Sequence, residues 1–132
     1  MNLSKVGYVS NIEDETLSNE NFRKVLYTGK HCQLVVMTIQ AGEDIGMEVH
    51  GHVDQFIRVE EGEAEVILNG EVTKVKDDFA FIIPAGVEHN VVNTGKKALK
   101  LYTIYSPANH PEGTVHKDRA EAMEAEEHEH HN

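Results

Sequence analysis

From Phe22 to Tyr105 the chain repeats one pattern: a short run of alternating apolar and polar residues, then a turn. The runs are "FRKVLYT", "QLVVMTI", "DQFIRVEE", "EAEVIL", "FAFII", "EHNVVN" and "LKLYTIY". All are rich in β-branched and aromatic residues, which suit a pleated, half-buried surface. Between them stand Gly29, Gly42, Gly46, Gly62, Asn69-Gly70, Asp77-Asp78, Pro84-Ala85-Gly86 and Asn93-Thr94-Gly95. In "EVILNGEVTKV" the Asn-Gly pair supplies the positive φ angles of a tight hairpin turn. Strands at intervals of roughly ten residues, with no helical period between them, predict an all-β sandwich or barrel.

The pattern changes after Tyr105. "SPANHPEGTVH" carries two prolines and a glycine and predicts a loop. "KDRAEAMEAEEHEHH" is rich in alanine and glutamate and predicts a short helix. Acidic residues crowd its C-terminal part, where the helix dipole disfavours them, so order is expected to end by about residue 127. "HEHHN" is expected to be a solvated tail. The division is therefore 1–105 for a β-barrel with N-terminal strands and 106–132 for loop, short helix and acidic, histidine-rich tail.

Composition narrows the function classes. A chain of 132 residues fits one domain and buries roughly two-thirds of its unfolded surface. Twelve basic against 23 acidic residues give a net charge of −11, which repels phosphate backbones and anionic lipid. No nucleic acid and no membrane partner is expected. No apolar run approaches the roughly 20 residues of a membrane span, and "MNLSKVGYVSNIEDETL" has no apolar block of signal-peptide kind. A cytoplasmic location is the expectation. The single cysteine, Cys32, rules out an internal disulfide or a CxxC pair, and is expected in the core.

The candidate chemistry lies in "EVHGHVDQ", residues 48–55. Alternate strand residues share a face, so Glu48 with His50, or His50 with His52, could begin a convergent metal site. Local periodicity leaves both pairs open.

The wider spacing in "GEDIGMEVHGHVDQFIRVEEG" resembles the first motif of the cupin superfamily: glycine, two histidines one residue apart, glutamate, then glycine. Gly42 and Gly62 fit its ends, with Glu48 and His50 at the two histidine positions and Gln55 at the glutamate position. "DFAFIIPAGVEHNVVN" resembles the second motif, with Asp78 at its glycine, then Pro84, Gly86, His89 and Asn93. The resemblance covers residues 34–105 and is to a small single-domain cupin. It implies a double-stranded β-helix, a small β-barrel of two packed sheets, here with a short C-terminal α-helix.

Cupins typically hold a divalent metal with three histidines and a glutamate. The resemblance therefore implies a metal site at Glu48, His50, Gln55 and His89, with His52 displaced. The carboxylate missing at position 55 returns at position 48, so the set keeps one formal negative charge. Two imidazoles and a carboxylate suit one divalent transition metal (iron, nickel, manganese or zinc) without choosing among them. Gln55 could bind directly, bind through water or orient Glu48. Asp78 implies a turn with a different backbone angle from the motif glycine.

Such a site would take a small molecule through two neighbouring oxygens. The expected function is a metal-dependent cupin that binds and transforms an oxygen-bearing metabolite by isomerase, lyase or dioxygenase chemistry. The alternative is a non-catalytic binding or sensing barrel, and no nucleophile stands beside a base to name catalytic residues. Asp54, Arg58 and Phe56 should face away from Gln55, with Arg58 as an ion-pair partner. Phe56 hints at packing against another sheet or a subunit, and cupins of this size are commonly homodimers. Tyr102 and Tyr105 point to opposite faces, with core packing the expected role of both. His110 and His116 lie in a loop that could fold over the barrel mouth. Lys96, Lys97 and Lys100 read as a solvated edge, which disfavours a sugar phosphate as ligand.

Overall fold

The computed structural model describes the backbone of residues 1–130 and the side chains of residues 1–127. Every predicted strand run forms a strand: β1 (Arg23–Thr28), β2 (Gln33–Ile39), β4 (Asp54–Glu61), β5 (Glu63–Leu68), β6 (Glu71–Lys76), β7 (Ala80–Ile83), β8 (Glu88–Asn93) and β9 (Leu99–Ser106). Two further strands of two residues each, β3 (Glu48–Val49) and β10 (Val115–His116), complete the set. They form two antiparallel sheets, one ordered β10-β1-β2-β9-β4-β7 and the other β3-β8-β5-β6. This is the expected all-β double-stranded β-helix.

Strand alternation places the core between the sheets. On β9, Leu99, Leu101, Thr103 and Tyr105 are buried, while Tyr102 and Ile104 on the opposite face are half-buried. Val35, Met37, Ile39, Ile57 and Val59 join them from the six-stranded sheet, facing Ala64, Val66 and Val91 of the other. Gly62 connects β4 to β5 at φ +112°, and an added Cβ would lie 3.0 Å from the Leu99 Cα. The cupin glycine thus lets two backbones approach closely. Asn69 and Gly70 take φ 48° and 85°, the left-handed pair the hairpin needs.

The N-terminal region adds a helix to the strands. Residues Ile12–Ser18 form α1, capped by the Asn11 side chain, which accepts from the Asp14 N–H at 3.1 Å. Glu13, Asp14 and Glu15 fill the first turn, where the dipole favours acids. The helix lies on the outer face of β2, β4 and β9. Its end is tied down by Asn19, whose carbonyl accepts from Thr38 Oγ1 at 2.7 Å and from Lys100 Nζ at 2.6 Å. Lys100 is therefore buried, not part of a solvated edge, because α1 covers its strand. Lys96 and Lys97 remain exposed, Lys97 3.5 Å from Glu61.

Three more expectations are revised. Cys32 is exposed, because it sits in the turn before β2 and not in the strand. Asp78 has φ +72°, the left-handed conformation a glycine would take, and its carboxylate accepts from Arg58 at 3.1 Å. The motif turn keeps its backbone shape with another residue. The C-terminal helix α2 runs over Arg119–His130 without a break at residue 127. Asp118 caps it by accepting from the Glu121 N–H at 2.8 Å, and Ala122 is fully buried against the barrel. The histidine side chains of "HEHHN" lie outside the described residues.

Candidate metal centre

The site is built where β3 meets β8. Glu48 and His89 are cross-strand partners, so two cupin motifs far apart in sequence meet in one register. His50 follows two residues after Glu48 on the same side, and its carbonyl accepts from the Gly86 N–H at 2.8 Å. That bond ties the His50 segment to the turn preceding His89. Asp54 holds the same turn by accepting from the Ala85 N–H at 2.9 Å. Asn93 closes the far end of β8, donating to the Ile39 and Lys97 carbonyls at 2.9 Å each.

One donor atom each from Glu48, His50 and His89 lie within 4.8 Å of one another. His50 Nε2 is 2.9 Å from the Glu48 carboxylate, and the rings of His50 and His89 are 5.1 Å apart. His89 Nδ1 lies 2.9 Å from the Val87 carbonyl. A carbonyl can only accept, so Nδ1 carries the proton and Nε2 presents a bare lone pair. That Nε2 is buried and has no hydrogen-bond partner. An imidazole so oriented, with its second nitrogen anchored to backbone, is the arrangement of a metal ligand.

The other sequence candidates divide. Gln55 is buried across the ladder from Tyr105, and its amide nitrogen donates to Thr103 Oγ1 at 3.1 Å. Its carbonyl oxygen has no partner, so Gln55 is a candidate neutral donor held by Thr103 rather than by Glu48. His52 is exposed at the rim of the cavity. Arg58 pairs with Asp78 and Glu60 at 3.1 Å each, as its outward phase requires. Phe56 packs against Tyr102 on the outer face, with ring centroids 6.3 Å apart.

The cavity beside the cluster measures about 530 Å³, with His50, Asn109, His110, Met123 and Glu126 among its walls. The loop predicted after β9 does fold over the barrel mouth. Gln33, fully buried, accepts from the backbone N–H groups of Asn109 and His110 at 3.1 and 3.0 Å and donates to the His110 carbonyl at 2.8 Å. His110 Nε2 is 3.3 Å from the Tyr105 hydroxyl, and the Tyr105 ring stands edge-on to His50. Tyr105, expected to be core, thus also borders the site.

Sequence reading missed Arg23 and Glu126, which approach from opposite ends of the chain. Arg23 is 2% exposed. Its Nη1 donates to His116 Nδ1 and pairs with Glu126 Oε1, both at 3.1 Å, while its Nε has no partner. Glu126 also shares a side-chain hydrogen bond with Glu48. A local signal for Arg23 exists: in β1 it alternates in phase with buried Val25, while Lys24 is exposed.

Burial and neighbours set the protonation of the wall. Burial raises the Glu48 carboxyl, but hydrogen bonds from His50 and Glu126, with His50 and Arg23 charge, outweigh it and hold the group below its ordinary value. Burial chiefly, then Glu48, pushes the Glu126 carboxyl up to about 7. Burial lowers His89, raises Tyr105 to about 12, and with Arg23 lowers His110 to about 3. At neutral pH, Tyr105 and His110 are therefore uncharged.

Two sheets closing on a carboxylate and two imidazoles define a cupin-type barrel with a candidate metal centre. Residues 35–105 match the Cupin_2 family of cupin domains, and the chain belongs to that family. It is 48% identical over 126 residues to YrkC of Bacillus subtilis, covering 91% of this chain and 68% of that protein. It is 43% identical over 113 residues to L612 of Acanthamoeba polyphaga mimivirus, covering 82% and 70%. The crystal structure of BH2720 from Bacillus halodurans superposes with a TM-score of 0.89 at 50% identity, covering 93% of this chain and 98% of that one. Among the described residues no helix is long and apolar enough to cross a membrane.

Proposed function

We propose that this chain is a metal-dependent cupin that binds and transforms a small oxygen-bearing metabolite. The observation that carries the reading is the buried, partnerless Nε2 of His89 beside Glu48 and His50. A bare imidazole nitrogen in a dry site loses hydrogen bonding unless something coordinates it. Glu48, His50 and His89 would hold a divalent transition metal, with Gln55 as the fourth candidate. A bound metal supplies Lewis-acid or redox chemistry to a ligand oxygen.

The chain's own residues favour proton transfer as the chemistry. Glu126 stands at the cavity wall against Glu48, with a carboxyl near half-protonation at neutral pH, suited to take or give a proton. Tyr105 and His110 offer a neutral, hydrogen-bonded wall that can orient a ligand oxygen without adding charge. Isomerase or lyase chemistry fits these groups better than dioxygenation. The homodimer implied by the cupin resemblance belongs to the same reading, and sedimentation of the purified chain tests it.

The primary test is metal content by elemental analysis, with tag-free protein truncated after Glu127 to exclude the histidine tail. About one metal per chain is expected, lost in His50→Ala and in His89→Ala. Glu48→Ala should lose metal as well, while His52→Ala should keep it. Metal retained by the His89 variant would sink the proposed site. Turnover, as opposed to saturable binding, would then separate an enzyme from a binding barrel.

A further inference from the structure

The cluster at Glu48, His50 and His89 explains part of the cavity. Behind Glu126, which lines the same cavity, lies a buried guanidinium whose partners are unusual for its depth. Arginine is almost never fully buried unless paired, and its planar fork favours two parallel bonds to one carboxylate. Arg23 is 2% exposed, yet only one nitrogen contacts Glu126, at 3.1 Å to one oxygen. The same nitrogen also serves His116, and Nε is left without a partner. The fork is underused.

Glu126, for its part, is held from one side and opposed from the other. Arg23 attracts its carboxylate, while the Glu48 carboxylate lies within hydrogen-bond reach of it. Two carboxylates in contact in a partly dry site repel unless a proton or a cation lies between them. The helix is fastened at its other end, where Arg119 forks onto Asp44 with bonds of 2.7 and 3.1 Å to one carboxylate oxygen and 2.9 Å to the carbonyl. Ala122 is buried, and Met123 lies over Gly46. Glu126 can turn away from Arg23 while these anchors hold.

We propose that Arg23 is a carboxylate-recognition point, that Glu126 occupies it as an internal substitute, and that the cavity takes a small acid whose own carboxylate displaces Glu126. The chelating end of that acid rests on the metal reading given above; its carboxylate end rests on Arg23. The exchange removes the contact between Glu126 and Glu48. A cavity of about 530 Å³ accommodates a small acid of about nine heavy atoms with room to spare.

Malate and lactate test this, because both carry a hydroxy-acid end and differ by one carboxylate. The full chain, with nickel uptake measured first as the excess over His89→Ala so that the histidine tail cancels, is titrated with each by calorimetry. Malate should bind more tightly than lactate. Glu126→Gln should tighten malate by about tenfold relative to lactate, since a charge-assisted fork becomes available without competition. Arg23→Lys and Arg23→Gln should erase the preference, and thermal melts report whether each folds. The Glu126→Gln result stands without them. Equal affinities for the two acids in Glu126→Gln, or weaker malate binding, would overturn the proposal. A chain that takes no nickel would overturn the metal reading alone. The titration then runs on the metal-free chain, where an Arg23-dependent malate preference sustains the carboxylate point and its absence removes it.

Discussion

His110 shows how one residue's burial becomes a dependence on pH. Its folded pKa of about 3 lies far below the ordinary 6.5, chiefly through burial. The unfolded chain takes up this proton as pH falls through 6.5, while the folded chain refuses it until about 3. The contribution to stability is therefore complete above 6.5 and is lost progressively below it. Glu126 runs the other way: its raised pKa makes a contribution present below 4.5 and lost as pH rises through 7. The two oppose each other, so the whole protein's acid limb does not isolate either. His110→Gln does. Between pH 7 and pH 5 the wild type should lose on the order of 2 kcal/mol more than this variant. Urea melts at the two pH values measure the difference; parallel loss in both proteins would show that His110 protonates freely in the fold.

At the scale of elements, the strands were legible because β-branched runs and turn residues alternate without interruption from Phe22 to Tyr105. The elements that escaped are those set by capping or by distance. α1 lies in a polar stretch marked locally by the Asn11 cap and the acidic first turn of Glu13, Asp14 and Glu15. β10 is two residues in a proline- and glycine-containing loop, and it exists because β1 offers an edge: Arg23 pairs with His116. The site divides in the same way. Glu48, His50 and His89 could be read from motif spacing, whereas Arg23 and Glu126 meet only through the closure of α2 over the barrel. Gly62 tests the fit between elements. With φ +112° and Leu99 Cα 3.0 Å from an added Cβ, Gly62→Ala should cost about 1–3 kcal/mol. A denaturant midpoint equal to wild type would show that β4, β5 and β9 can part at that point without loss. Ile57→Ala, by contrast, empties a core position 1% exposed and should cost about 2–5 kcal/mol through the cavity it leaves.

For the molecule as a whole, the pairing of Glu48 with His89 joins the edge strand β3 to β8 across all of β4 to β7 in sequence. Glu48 and His50 are neighbours, but the cluster is complete only when distant His89 joins them. Barrels dominated by such distant pairings close slowly, on a scale of about milliseconds to seconds, because loop-closure entropy is spent before the contacts form. The same pairing makes the cluster a clock for folding. On the metal reading proposed above, added cobalt should change its visible absorption in the same kinetic phase that buries Tyr105, with no earlier signal from the isolated histidines. Stopped-flow refolding with both signals recorded checks this, and a cobalt spectrum preceding tyrosine burial would mean that the four-stranded sheet closes first. A candidate site composed of two distant halves thus serves as its own proofreader: only a chain whose β3 and β8 have found the right register brings Glu48, His50 and His89 together.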